Sequence, residues 1–87
     1  MGFESDPEKS RLNKEKHGID FVEAKELLKD ENAFRFPAKE GNEERFLIVG
    51  KIDEKNWTAV VTMRDEVFRI ISVRRSKRKE IEAYDWK

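Results

Sequence analysis

Six arginines and lysines crowd the eleven residues from Arg69 to Lys79, with no acid among them. The chain around them is neutral, with 19 basic and 19 acidic residues in 87. The block opens with β-branched residues, Ile70, Ile71 and Val73, and runs into the start of a C-terminal helix. A helix N-terminus carries partial positive charge, so each exposed cation there costs about 0.3–1 kcal/mol. The same terminus is an anion site. Lys77 and Arg78 at that end, with Arg75 before them, suit phosphate and point to a nucleic acid. RNA cleavage through the 2′-hydroxyl needs cations around the phosphate and groups that move protons. Arg45, Arg64, Arg69 and Arg74 are candidates for the charge. His17 is the candidate for proton transfer, because an unperturbed imidazole titrates near neutrality. Each has a plainer reading: His17 also complements a helix C-terminus, Arg69 suits a solvent-facing strand position or a pairing with a carboxylate across the sheet, and a basic run suits a general binding surface.

Other chemistries lack their residues. There is no cysteine, which excludes disulfides and thiolate metal sites. One histidine cannot form a zinc cluster alone, and the carboxylates show no metal-ligand spacing, so no metal site is expected. Glycine-rich phosphate loops, nucleophile elbows and cofactor fingerprints are absent, and no cofactor is expected. The longest apolar run, Phe46-Leu47-Ile48-Val49, is too short to span a bilayer. The charged N-terminus has no signal-peptide core, and the expectation is a cytoplasmic protein with no membrane partner.

The elements that must position these residues read as one domain, 1–87, of α+β class. A first helix is expected from about Pro7 to Lys16, capped by Asp6 and ended by Gly18. Leu12 is its single apolar residue, and Phe3 and Leu12 are the expected pins. Lys9, Asn13 and Lys16 fall on one polar face, a candidate nucleic-acid surface. A second helix, about Phe21 to Lys29, starts with the Asp20–Glu23 capping pair and shows one apolar face, Phe21, Ala24, Leu27 and Leu28. Strands are expected at Ala33–Phe36 (stopped by Pro37), Glu44–Val49, Trp57–Met63 and Val67–Val73. Short links predict an antiparallel sheet of three or four strands. The last helix is expected over about Lys77 to Ala83 with Ser76 as N-cap, docked by Ile81 and Tyr84, with Trp57 and Trp86 as packing residues. Acids dominate from Asp20 to Glu44 and bases from Arg64 to Lys79, a dipole able to steer two partners.

The ordered set Phe3-Glu4, Asp6, Lys9, Asn13, Lys16-His17-Gly18-Ile19, Phe21 and Glu23-Ala24 resembles the opening of the BrnT family of toxins. Glu44-Arg45 with Gly50, then Thr62-Met63-Arg64, Arg69 to Arg75, Glu80 and Tyr84, resemble the rest of that family's pattern. The resemblance covers nearly the whole chain. It implies a RelE-like fold and a ribonuclease toxin of a type II toxin–antitoxin system, acting on RNA without a metal and inhibiting translation. It implies a cognate ribbon-helix-helix antitoxin in a hetero-oligomer, with operator DNA reached only through that antitoxin. Three positions depart from the pattern: Ser5 stands where tryptophan is common, the Arg64-Asp65-Glu66 turn lacks a glycine, and Val73 replaces alanine. Two other readings stand beside this one: a non-catalytic nucleic-acid- or antitoxin-binding module, and a plain interaction domain whose acidic half binds a basic partner.

Overall fold

The computed structural model describes residues 3–40 and 43–86. A two-residue strand, β1 (Phe3–Glu4), leads into α1 (Pro7–His17) and α2 (Phe21–Ala24), which tightens into a 3-10 segment (Lys25–Lys29). Four strands follow, β2 (Phe34–Glu40), β3 (Glu43–Ile52), β4 (Lys55–Arg64) and β5 (Val67–Arg75), and α3 (Arg78–Asp85) closes the chain. The sheet order is β1-β5-β4-β3-β2. Strands β2 to β5 form an antiparallel meander, and β1 pairs with β5 in parallel. The expected α+β architecture is present. The short edge strand β1 was not anticipated, because two residues carry no periodicity.

The helix caps follow local chemistry. Asp6 accepts the Glu8 N–H at 2.9 Å, and Gly18 takes a left-handed φ of 83° to end α1. At α2, Asp20 accepts the Glu23 N–H while the Glu23 carboxylate accepts the Asp20 N–H. Ser10 and Lys14 hold the two helices together: the Ser10 hydroxyl accepts the Phe21 N–H, and Lys14 pairs with Glu23.

Of the two expected pins of α1, the Phe3 side chain lies outside the described residues, and Leu12 gives way to Asn13. Leu12 is 48% exposed, whereas Asn13 is 7% exposed. The Asn13 amide donates to the carbonyls of Ile19 and Val73 and accepts the Val73 N–H. It stands in for a neighbouring strand along the part of β5 that β1 does not reach. An uncovered strand edge is a liability, and a helix-borne amide here satisfies it. The buried core lies between the helices and one face of the sheet: Ile19, Phe21, Ala24 and Leu27 against Ile48, Trp57, Ala59, Val61, Phe68, Ile70 and Val73. Gly50 belongs to this face for lack of space. A Cβ there would meet Leu27 at 3.0 Å and Ala33 at 3.2 Å.

The strands are longer than the sequence predicts. β2 continues through Pro37, as an edge strand permits, because one side of it has no ladder to break. The expected Gly50–Asn56 loop shrinks to Asp53-Glu54, both with positive φ, and Asp65-Glu66 does the same between β4 and β5. Two positive φ values make the turn geometry that matches strand twist.

Two further differences concern α3. It begins at Arg78 with Lys77 as N-cap, and the Ser76 hydroxyl is hydrogen-bonded to that of Thr58. Tyr84 is buried, but Trp86 is 90% exposed and does not pack on the core. No helix among the described residues is long and apolar enough to cross a membrane.

Candidate nucleic-acid interface

The face of the sheet opposite α1 and α2 is only partly covered. Strand register arranges it in rows. Thr62 of β4 lies opposite Arg69 of β5, and Arg69 opposite Glu4 of β1. One step beyond the paired Phe46 and Val61, the register sets Arg45 of β3 beside Thr62, whose hydroxyl donates to the Glu44 carbonyl. Arg45, Thr62, Arg69 and Glu4 therefore form one cross-strand row. The Arg69 Nε lies 4.0 Å from the Glu4 carboxylate. The next row, Phe36, Leu47, Val60 and Ser72, is mostly apolar, and the one after it is Phe34, Val49, Thr58 and Arg74.

α3 sits across that last row, fastened by Glu80. Both terminal nitrogens of Arg74 donate to the Glu80 carboxylate, which also accepts the Thr58 hydroxyl and the Lys77 N–H. Burial alone would raise the Glu80 carboxyl. The Arg74 guanidinium, the Lys77 N–H and the Thr58 hydroxyl outweigh it and hold the pKa at about 2. A second tie is Tyr84, whose hydroxyl donates to Asp30 at 2.7 Å. Burial works against the Asp30 charge, yet Tyr84 and the N–H groups of Asn32 and Lys51 keep its carboxyl below the usual range.

The expected basic block is thus not one surface. Arg69 and Arg74 are five residues apart, an odd spacing that sends side chains of a regular strand to opposite faces. A bulge opposite Val60/Val61 leaves Ile71 as the extra residue and restores a common face. Arg74 is nonetheless committed to Glu80. Arg75 turns to the helical side, where its guanidinium stacks 5.3 Å from the Trp57 ring centroid and its Nε donates to the Asn56 carbonyl. Lys77 and Arg78 are exposed at the start of α3, and Arg78 pairs with Glu82.

The α1 candidates stand apart from the row. Asn13 has its amide fully engaged with backbone and presents no hydrogen-bonding atom to a ligand. Lys9 and Lys16 are exposed on either side of it. His17, half-buried, lies a turn beyond Asn13, away from the Glu4–Arg69 end of β5. The Arg64 side chain lies outside the described residues. Sequence reasoning missed Glu4 and Thr62 as members of the row. Glu4 had no signal, because its place depends on a pairing 65 positions away.

The row and the basic start of α3 make an open, arginine-lined surface on a sheet. This surface can hold a phosphate and stabilise charge building on it. No group of three or more histidines and carboxylates is placed to hold a metal ion among the described residues. No curated protein matches the chain. A family model does match residues 6–80, and it describes a ribonuclease toxin, BrnT, of a type II toxin–antitoxin system. The match spans most of the 87 residues, and the chain belongs to the BrnT family of ribonuclease toxins.

Proposed function

We propose that this chain is a metal-independent endoribonuclease that cuts RNA through its 2′-hydroxyl, inhibits translation by doing so, and is neutralised by a cognate ribbon-helix-helix antitoxin that links it to operator DNA. The observation that supports the RNA reading most is the row Arg45–Thr62–Arg69, half-exposed on the sheet face opposite α1 and α2. Arg45 and Arg69 carry the charge that develops on the scissile phosphate. Arg64, at the end of β4, remains a third candidate by its place in the chain. Lys77 and Arg78 hold flanking phosphates. Arg74 acts as a positioning residue, keeping α3 and its cations beside the row. Two groups compete for proton transfer: Glu4, inside the row, and His17, outside it.

The test is cleavage of single-stranded RNA by the purified chain in excess EDTA. The expected products end in a 2′,3′-cyclic phosphate. Arg69→Ala should lower the rate by about 10²–10³, the usual scale for one lost charge-stabilising contact, with an unchanged melting temperature. Absence of cleavage by the wild type, or cleavage indifferent to Arg69→Ala, would overturn the reading.

A further inference from the structure

α3 leaves a groove of about 450 Å³ between itself and the sheet, lined by Phe36, Leu47, Ala83 and the start of the helix, Lys77, Arg78, Lys79 and the Arg74-paired Glu80. The floor is apolar and the cations stand at one end. Helical periodicity extends the groove: Lys79, Ala83 and Trp86 follow one another at i, i+4 and i+7 on one face, and Trp86 keeps helical dihedrals. The stripe from Lys79 to Trp86 is about 10 Å long and ends on an indole exposed over nine-tenths of its surface.

Apart from Glu80, whose carboxylate complements the first turn, the charges of α3 oppose its own dipole. Arg78 and Lys79 occupy its first turn, Glu82 and Asp85 its last, and no basic residue lies in that last turn. Both arrangements cost stability in the free protein. Among the described residues the Lys77 and Lys79 ammonium groups make no ion pair. This polarity also separates two kinds of occupant. A polyanion lying along α3 would be drawn to its cationic start and repelled by Glu82 and Asp85 in its last turn. A protein segment with apolar side chains for the floor and a carboxylate opposite Lys77 and Lys79 is matched along its whole length.

We infer that this groove, from Lys77 to Trp86, is the seat of an apolar-faced, acid-bearing segment of the antitoxin. The inference rests on the reading of the chain as a toxin with a protein neutraliser. Large aromatic side chains dominate binding when a partner buries them, so Trp86 is the expected anchor. A seated segment would also place its acids against Lys77 and Lys79 and remove those cations from RNA, so docking and neutralisation become one event.

The experiment uses the full chain and its purified cognate antitoxin. Trp86→Ala removes the anchor, Ala83→Arg fills the groove from an exposed position, and Ala83→Ser leaves it open. The first two should weaken antitoxin binding by about tenfold or more, while Ala83→Ser binds as the wild type does. RNA cleavage by the free variants and their melting temperatures should not change. Wild-type affinity in Trp86→Ala and Ala83→Arg would overturn the groove assignment while leaving the toxin reading intact. Loss of RNA binding with antitoxin binding retained would assign the groove to RNA and overturn it too. Failure of the wild type to bind any cognate antitoxin would overturn both readings.

Discussion

The Arg74 guanidinium grips the Glu80 carboxylate through both terminal nitrogens, at 2.8 and 2.9 Å, and this fork ties the last strand to the last helix. Val49 and Tyr84 are buried at the same contact, and the fork adds a charged tie between strand and helix. Removing one partner of a buried pair leaves the other charged and unpaired, at a cost of about 3–5 kcal/mol. Arg74→Ala should therefore lower the melting temperature sharply, and any fall in RNA cleavage should track the unfolded fraction. Cleavage lost in a variant of wild-type stability would return Arg74 to the reacting phosphate.

The same fork predicts an acid transition. The Glu80 carboxyl sits at about 2 in the folded chain, against 4.5 for a free glutamate. A depressed folded pKa means that the unfolded chain takes up its proton first as pH falls. The stabilisation is fully present above about pH 4.5 and disappears as pH falls toward 2. The gap corresponds to about 3 kcal/mol. Melting curves from pH 6 to pH 2 should show this loss, and Glu80→Gln should flatten the profile within that window.

Asn13 gives a prediction about the sheet edge. Asn13→Ala leaves the Val73 N–H and carbonyl without their side-chain partner, and each buried orphan costs about 1–3 kcal/mol. Asn13→Asp should be at least as harmful, since a carboxylate cannot donate to the carbonyls of Ile19 and Val73. Denaturant titration measures both, and exchange of the Val73 amide should accelerate in each. A variant as stable as the wild type would mean that water replaces the amide.

Glu4 and His17 are separable by pH–rate profiles. If Glu4 moves the proton, Glu4→Gln should abolish the acidic limb of the profile, while His17→Gln should leave its shape unchanged. The reverse pattern would assign the role to His17. The profile to compare is that of kcat/KM, which reports on the free enzyme.

The two acidic turns are strained in a way that glycine relieves. Glu54 and Glu66 hold φ values of 67° and 65°, a region costing an L-residue about 1–2 kcal/mol. Glycine's own entropic cost offsets about 0.5–1 kcal/mol of that gain. Glu54→Gly and Glu66→Gly should each raise stability by up to about 1 kcal/mol, read as a higher denaturant midpoint with an unchanged slope.

Features that depend on neighbours in the chain were legible without a structure. Asp6, Gly18 and the Asp20–Glu23 pair bound their helices because capping hydrogen bonds reach only two to four residues. β-branched runs and turn residues announced the meander in its order, with edges off by a few residues where ladders extended strands beyond their propensity. The ordered motifs carried the family resemblance. Which side chains share a surface was not legible. The face of each strand residue depends on register, and one extra residue at Ile71 was enough to bring Arg69 and Arg74 to one side and send Arg75 to the other. Arg74 and Asn13, both candidates for contacting RNA by type and spacing, proved to have partners within the fold, Glu80 and Val73. Glu4 entered the row through a parallel pairing with a residue near the other end of the chain. Trp86, an expected packing residue, is left in solvent because α3 turns Tyr84 inward toward Asp30. These are decisions about parity and long-range pairing. No local propensity encodes them, because a polar side chain is as comfortable on a neighbour's backbone as on a ligand until the tertiary structure supplies one or the other.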